Sequence, residues 1–108
     1  MHKAVISATG VFTPELSISN AELVAVFNAW AGAENVRNAP RIESGEMEAI
    51  GLSSEEFIVK ASGIERRYVL NKSGVLDPKV MHPVLPERGD DEISVMAEMA
   101  VSAANEAL

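Results

Sequence analysis

Few side chains in this sequence could carry covalent chemistry. There is no cysteine, so the chain offers no disulfide, no thiolate metal site and no cysteine nucleophile. The two histidines, His2 and His82, lie in the N-terminal stretch and in a proline-rich loop. No His, Asp and Glu spacing suits a metal, and neither histidine has a partner that would make it a general base. Both read as exposed and structurally neutral. Ser53 stands just before an apolar helical run, and that position explains its hydroxyl as a helix cap. No catalytic residue and no metal site is therefore expected among these residues.

Binding chemistry is what remains. Arg66 and Arg67 have the geometry to meet phosphates or carboxylates. Neighbours on a strand point to opposite faces, so at least one of the pair is expected in a structural ion pair. Glu55-Glu56 and Asp90-Asp91-Glu92 fall at helix starts, where acidic groups complement the helix dipole. Leu23, Phe27 and Trp30 recur at helical spacing and read as core. The glycines near the start are single, so no dinucleotide loop is supported.

Positioning these residues requires alternating helices and strands. Lys3 to Ala8 reads as a strand buried on both faces, because Ala4-Val5-Ile6 is continuous rather than alternating. Ser19 is expected to cap a first helix with Glu22 as its capping-box partner and Ile18 and Leu23 as a staple. Gly32 is the expected stop. Glu34 to Gly51 is mixed; Pro40, Gly45 and Gly51 argue for a loop with a short helix around Glu43 to Ile50. Ser53 and Glu56 then form a second capping box, with Leu52 and Phe57 as its staple. That helix is expected to run to about Ala61 and to end at Gly63.

Ile64 to Leu70 has strand composition, with Ile64, Arg66, Tyr68 and Leu70 on one face. Asn71 to Asp90 is a long connection containing Gly74, Pro78, Pro83, Pro86 and Gly89, and such loops are usually functional or covered. Asp90 or Asp91 is expected to cap the last helix. Ile93, Ala97, Ala100, Val101, Ala104 and Leu108 would line one of its faces, and Val95, Met96 and Met99 make others apolar. A helix of this kind needs cover from more than one direction. The class is α/β, and 108 residues hold one domain at most. The uncovered helix suggests that residues 1–108 are an incomplete part of a larger fold.

A net charge of −7 speaks against nucleic acid and against an anionic membrane surface. The opening apolar run is too short for a signal segment, and no transmembrane segment follows. The expected location is cytoplasmic, which makes the Asn71-Lys72-Ser73 sequon accidental.

Three segments, in order, resemble the N-terminal part of the 3-oxoacyl-[acyl-carrier-protein] synthase III-like condensing enzymes of the thiolase-like group. The first runs from Ile6 to Glu15 and on through Ser19-Asn20-Ala21-Glu22-Leu23. It is similar to the family's opening strand, Pro-Glu turn and Asn-Ala-(Asp/Glu)-Leu helix start. The second is Ser53 to Tyr68, similar to a family segment ending in Gly-Ile-x-x-Arg. The third is Asp91 to Leu108, similar to the helix that follows. Together they cover about half of the sequence.

The resemblance implies the N-terminal portion of an α/β/α/β/α layered fold, usually a homodimer. It implies a decarboxylating Claisen condensation of acyl-CoA with malonyl-acyl carrier protein in fatty acid biosynthesis. Such chemistry needs a thiolate and oxyanion stabilisation. The family supplies them with Cys, His and Asn, all expected beyond Leu108, and it uses no cofactor. The family's tryptophan that stacks on the CoA adenine matches Phe57, and its nearby threonine matches Ser53. Its nucleotide-contacting arginine matches Ala61, so that contact is lost, and Ser62 replaces a threonine. The resemblance thus implies Phe57, Ser53 and Ser62 as substrate-binding residues. Residues 32–52 are extra relative to the family and are expected to border the CoA entrance. Two other readings stay open. One is another thiolase-like CoA enzyme, hydroxymethylglutaryl-CoA synthase-like or head-to-head condensing. The other is a non-catalytic α/β interaction module.

Overall fold

The computed structural model describes residues 2–108. Its elements, in chain order, are β1 (Leu16–Ser19), α1 (Asn20–Arg37), α2 (Ala39–Glu43), α3 (Glu55–Ser62), β2 (Arg66–Val69) and α4 (Val95–Ala107). The chain divides into two units, one from Glu15 to Leu85 and one combining residues 2–14 with Pro86–Leu108. Helices thus accompany a small sheet, as in a piece of an α/β fold.

In the unit from Glu15 to Leu85, α1 is the organising element. Ser19 caps it through a complete capping box: its hydroxyl accepts from the Glu22 amide at 3.1 Å, and the Glu22 carboxylate accepts from the Ser19 amide at 3.3 Å. The Ser19 amide and then Lys72, at 3.2 Å, hold the Glu22 carboxyl below the ordinary carboxylate range. Ile18, just before the cap, is buried, as are Val26 and Ala31. α1 packs on β1, α2 and α3.

The helix does not stop at Gly32 but continues to Arg37. A glycine inside a helix costs about 1 kcal/mol, and the extra turn gains specific partners. The Asn35 amide both donates to the Ile50 carbonyl (2.9 Å) and accepts from the Ile50 amide (2.8 Å). The short helix of this region lies earlier than expected, at Ala39–Glu43, because Pro40 starts it rather than breaking it. Residues 48–54 are irregular.

The second helix is capped by Ser54, not Ser53: the Ser54 hydroxyl accepts from the Phe57 amide at 3.2 Å. With Phe57 at the third helical position there is no capping box with Glu56. Ser53 is held elsewhere, as described below. Gly63 ends the helix in the left-handed region at φ 71°, where glycine carries no steric penalty.

β2 pairs antiparallel with β1, Leu16 opposite Val69 and Ser19 opposite Arg66. β1 falls where the sequence suggested only a turn and a cap. Burial alternates along β2: Arg67 and Val69 are half-buried while Arg66 and Tyr68 are exposed. The two arginines do point apart. The strand expected at Lys3 to Ala8 is not formed, and Val5 and Ile6 are 84% and 88% exposed. A strand needs a ladder partner, and among the described residues the only ladder is β1 with β2.

In the other unit, α4 is capped by Ser94, whose hydroxyl accepts from the Ala97 amide at 3.1 Å. Asp90 and Asp91 lie instead in a turn closed by the Glu92 amide on the Gly89 carbonyl. The half-buried side of α4 carries Val95, Ala97, Met99, Ala103 and Ala107. Of the face expected from periodicity, Ile93, Ala100, Val101, Ala104 and Leu108 are all exposed. The contact side is set by the N-terminal segment. A Cβ on Gly10 would run into the Ala103 carbonyl and lie 2.7 Å from the Ala107 amide nitrogen. Only glycine against alanines permits that approach. No residue of α4 is buried.

Candidate functional site

An apolar cavity of about 560 Å³ opens within the unit from Glu15 to Leu85. That volume is in the range of small-molecule sites. α1 contributes Leu23, Val24 and Phe27; residues Gly51, Leu52 and Ser53 form one rim; α3 contributes Phe57 and Ile58; Arg67 and Met81 complete the lining. Arg67 is the one charged side chain among them. Its guanidinium donates to the Asn20 carboxamide oxygen at 3.4 Å.

Each wall has a local cause. The α1 wall is the Leu23-Phe27 stripe, with Phe27 leaning on Trp30 at 5.7 Å between ring centres. The sequence assigned this stripe to core. Its side chains are only half-buried, and Leu23 and Phe27 face the cavity. The start of α1 is tied to the approach to β2 by Asn20, which is buried and donates to the Ile64 carbonyl at 2.8 Å. The 51–53 rim is clamped by Asn28. Its carboxamide accepts from the Ser53 amide at 2.8 Å and donates to the Ser53 carbonyl at 3.1 Å. This clamp, with the Asn35 clamp on Ile50, fixes residues 50–53 along α1. It also explains why Ser53 does not cap α3: its peptide groups are already paired on both sides.

Two of the three expected binding residues, Phe57 and Ser53, line this cavity together. Phe57 is 65% exposed, so its ring is open to a ligand. Ser62 is not on the lining. Its hydroxyl donates to the Ile58 carbonyl (2.7 Å) and accepts from the Ile64 amide (3.2 Å), which closes the end of α3. Ala61 is exposed. Asn28, Asn35, Asn20 and Met81 were not singled out by the sequence. Asparagine inside a helix is a weak signal that its amide has work elsewhere; Met81 carries no signal at all.

The cavity offers an apolar wall, one exposed aromatic ring and one guanidinium. Among the described residues no cluster of His, Asp and Glu could hold a metal ion, and no helix is long and apolar enough to cross a membrane.

No family model matches the sequence. Among curated proteins, the chain is 54% identical over 82 residues to the beta-ketodecanoyl-[acyl-carrier-protein] synthase of Pseudomonas aeruginosa. The match takes in 76% of this chain and 23% of that enzyme's length. Identity at that level agrees with the overall resemblance to a condensing synthase. Over most of its length, then, the chain is similar to a segment of that synthase, and it spans about a quarter of the synthase's length.

Proposed function

We propose that this chain contributes the acyl-CoA entrance of a condensing enzyme of fatty acid biosynthesis. The single observation behind this is the 54% identity to a β-ketoacyl synthase. The cavity lined by Phe57 and Ser53 is in keeping with it. In the reaction a cysteine thiolate attacks the acyl-CoA carbonyl, and the CoA thiolate leaves. Malonyl-acyl carrier protein then loses CO2, and the resulting enolate attacks the acyl thioester, forming the new carbon–carbon bond and returning the cysteine thiolate. The chain has no cysteine, so its own residues bind and orient. Phe57 stacks on the nucleotide base, Ser53 stands beside it, and the Leu23-Phe27 wall takes apolar surface from the acyl-pantetheine arm.

The fold to which these residues belong is thiolase-like, the protein acts as a homodimer, and its partners are acyl-CoA and acyl carrier protein. Residues 32–52 border the entrance as an insertion, tied together by the Asn35 clamp on Ile50, with Asn28 holding Ser53 just after it. By carbon count, a β-ketodecanoyl product requires an eight-carbon donor, because malonyl adds two carbons after losing CO2.

The test is CoA release by the protein with malonyl-acyl carrier protein and donors of two to twelve carbons. Release is expected to be fastest near eight carbons, and no release with any donor would overturn the reading. Deleting residues 32–52 is expected to weaken the apparent affinity for acyl-CoA; an unchanged affinity in a folded variant removes the insertion from the entrance.

A further inference from the structure

Arg67 is the one charged side chain on the cavity lining, and the ladder explains how it comes to be there. In the pairing of β2 with β1 it stands opposite Ile18. Directly paired residues share a face of the sheet, and Ile18 is only 3% exposed. Arg67 therefore holds a position that reads as core, while Arg66, opposite Ser19, is exposed. A cation in a half-buried, apolar place is costly unless an anion or good hydrogen bonds compensate it. Here the compensation is incomplete. Arg67 enters none of the ion pairs among the described residues. Glu22, the carboxylate in the first turn of α1, is engaged by Lys72 and by the Ser19 cap. The bond from Arg67 Nη1 to the Asn20 carboxamide oxygen is long, at 3.4 Å, and its acceptor is uncharged. Asn20 is itself fixed, buried and bonded to the Ile64 carbonyl. The guanidinium is thus held beside the start of α1 with most of its donors available. Asn20 lies one turn before Leu23 and Val24, where the α1 wall of the cavity begins.

We propose that Arg67 is a phosphate-binding residue of this cavity, which takes the pyrophosphate of the acyl-CoA. This rests on the acyl-CoA reading above. That reading lays the base on Phe57 and the pantetheine arm on the Leu23-Phe27 wall, and in CoA the pyrophosphate is the link between those two parts. A guanidinium meets two phosphate oxygens at once in the plane of its fork. A charge pair in a partly buried, apolar surround is also screened less than one in open water.

Calorimetry on the protein, on Arg67→Gln and Arg67→Lys, and on the outward-facing Arg66→Gln tests this. The probes are an eight-carbon acyl-CoA, its 3′-dephospho form, the eight-carbon acyl-pantetheine that lacks the nucleotide, and adenosine 5′-diphosphate. Arg67→Gln is expected to weaken both CoA forms about tenfold and to leave acyl-pantetheine unchanged. Arg67→Lys keeps the charge without the fork, so its loss is expected to be smaller; it carries the test should the glutamine variant not fold. Arg66→Gln is expected to change nothing. Equal acyl-CoA affinity in the parent and the folded Arg67 variants overturns the role of Arg67 and leaves the acyl-CoA reading standing. So does a loss that acyl-pantetheine shares in full, which marks Arg67 as a structural support. A loss absent from the 3′-dephospho form also overturns it, by moving the contact to the 3′-phosphate. Arg67-dependent binding of adenosine 5′-diphosphate without binding of acyl-CoA keeps the phosphate site and overturns that reading. Binding of none of the probes by the parent overturns both.

Discussion

α1 and α4 are both serine-capped, alanine-containing helices with apolar side chains on more than one side, yet they differ in what they bury. α1 buries three of its own residues, Asn20, Val26 and Ala31; α4 buries none of its own. The serine caps make the same hydroxyl contact at 3.1 Å, and only α1 adds the return bond of a capping box, which does not by itself bury a helix. The difference lies in partners distant in sequence. Asn20 reaches Ile64, Asn28 reaches Ser53, Asn35 reaches Ile50 and Glu22 reaches Lys72. The polar side-chain contacts of α4 are local or come from the turn before it, as with Arg88 on Glu98 at 2.7 Å. Capping starts a helix; long-range contacts decide whether it becomes a wall of a site.

The largest expected effect is at Asn20. Replacing this buried side chain with alanine leaves the Ile64 carbonyl without its donor and Arg67 without its acceptor, and about 2 kcal/mol of stability is expected to be lost. Urea unfolding measures this; a midpoint unchanged from the parent would detach α1 from the β2 approach. Next is Gly63→Ala, which forces a Cβ into the left-handed region and is expected to cost about 1 kcal/mol. An equal or higher Tm would argue against the φ of 71°.

Smaller still is the acid-side effect of Glu22. Its carboxyl is held lower in the folded chain than in the unfolded one, so it stabilises above the ordinary carboxylate range and that stability fades as pH falls through the lowered value. Glu22→Gln should remove this part of the acid-side slope and leave the neutral-to-basic side flat; an unaltered acid limb contradicts the pairing with Ser19 and Lys72. Smallest is Met96→Ser on α4. Met96 is 81% exposed, and a change within about 0.5 kcal/mol is expected. A loss of several times that amount would show that α4 is covered after all, and would erase the contrast with α1.

Much of this was legible from local signals. Ser19 with Glu22, and Gly63 as a stop, depend on residues within one helical turn, and each is found as the spacing implies. The choice of Ser54 over Ser53 was not legible, because the deciding contact comes from Asn28, a residue in the middle of another helix. Gly32 failed as a stop for a similar reason: Asn35 gains Ile50 only if the helix continues. The strand at Lys3 to Ala8 has the composition of a buried strand but no ladder partner, and composition cannot supply one. In the cavity, Phe57 and Ser53 were named through the family resemblance as binding residues, and their place on its lining is what the structure adds. Met81 was not, because its position follows from how Asn71, Gly74 and Asp77 fold the loop.

The central claim is that the cavity between α1, the 51–53 rim and α3 binds acyl-CoA. Calorimetric titration of the protein with an eight-carbon acyl-CoA, beside Phe57→Ala and the α4 control Met96→Ser, tests it most directly. Saturable binding is predicted, weakened about tenfold by loss of the Phe57 ring and untouched by Met96→Ser. Binding of equal strength in the parent and in Phe57→Ala, or no binding by the parent, would contradict the claim.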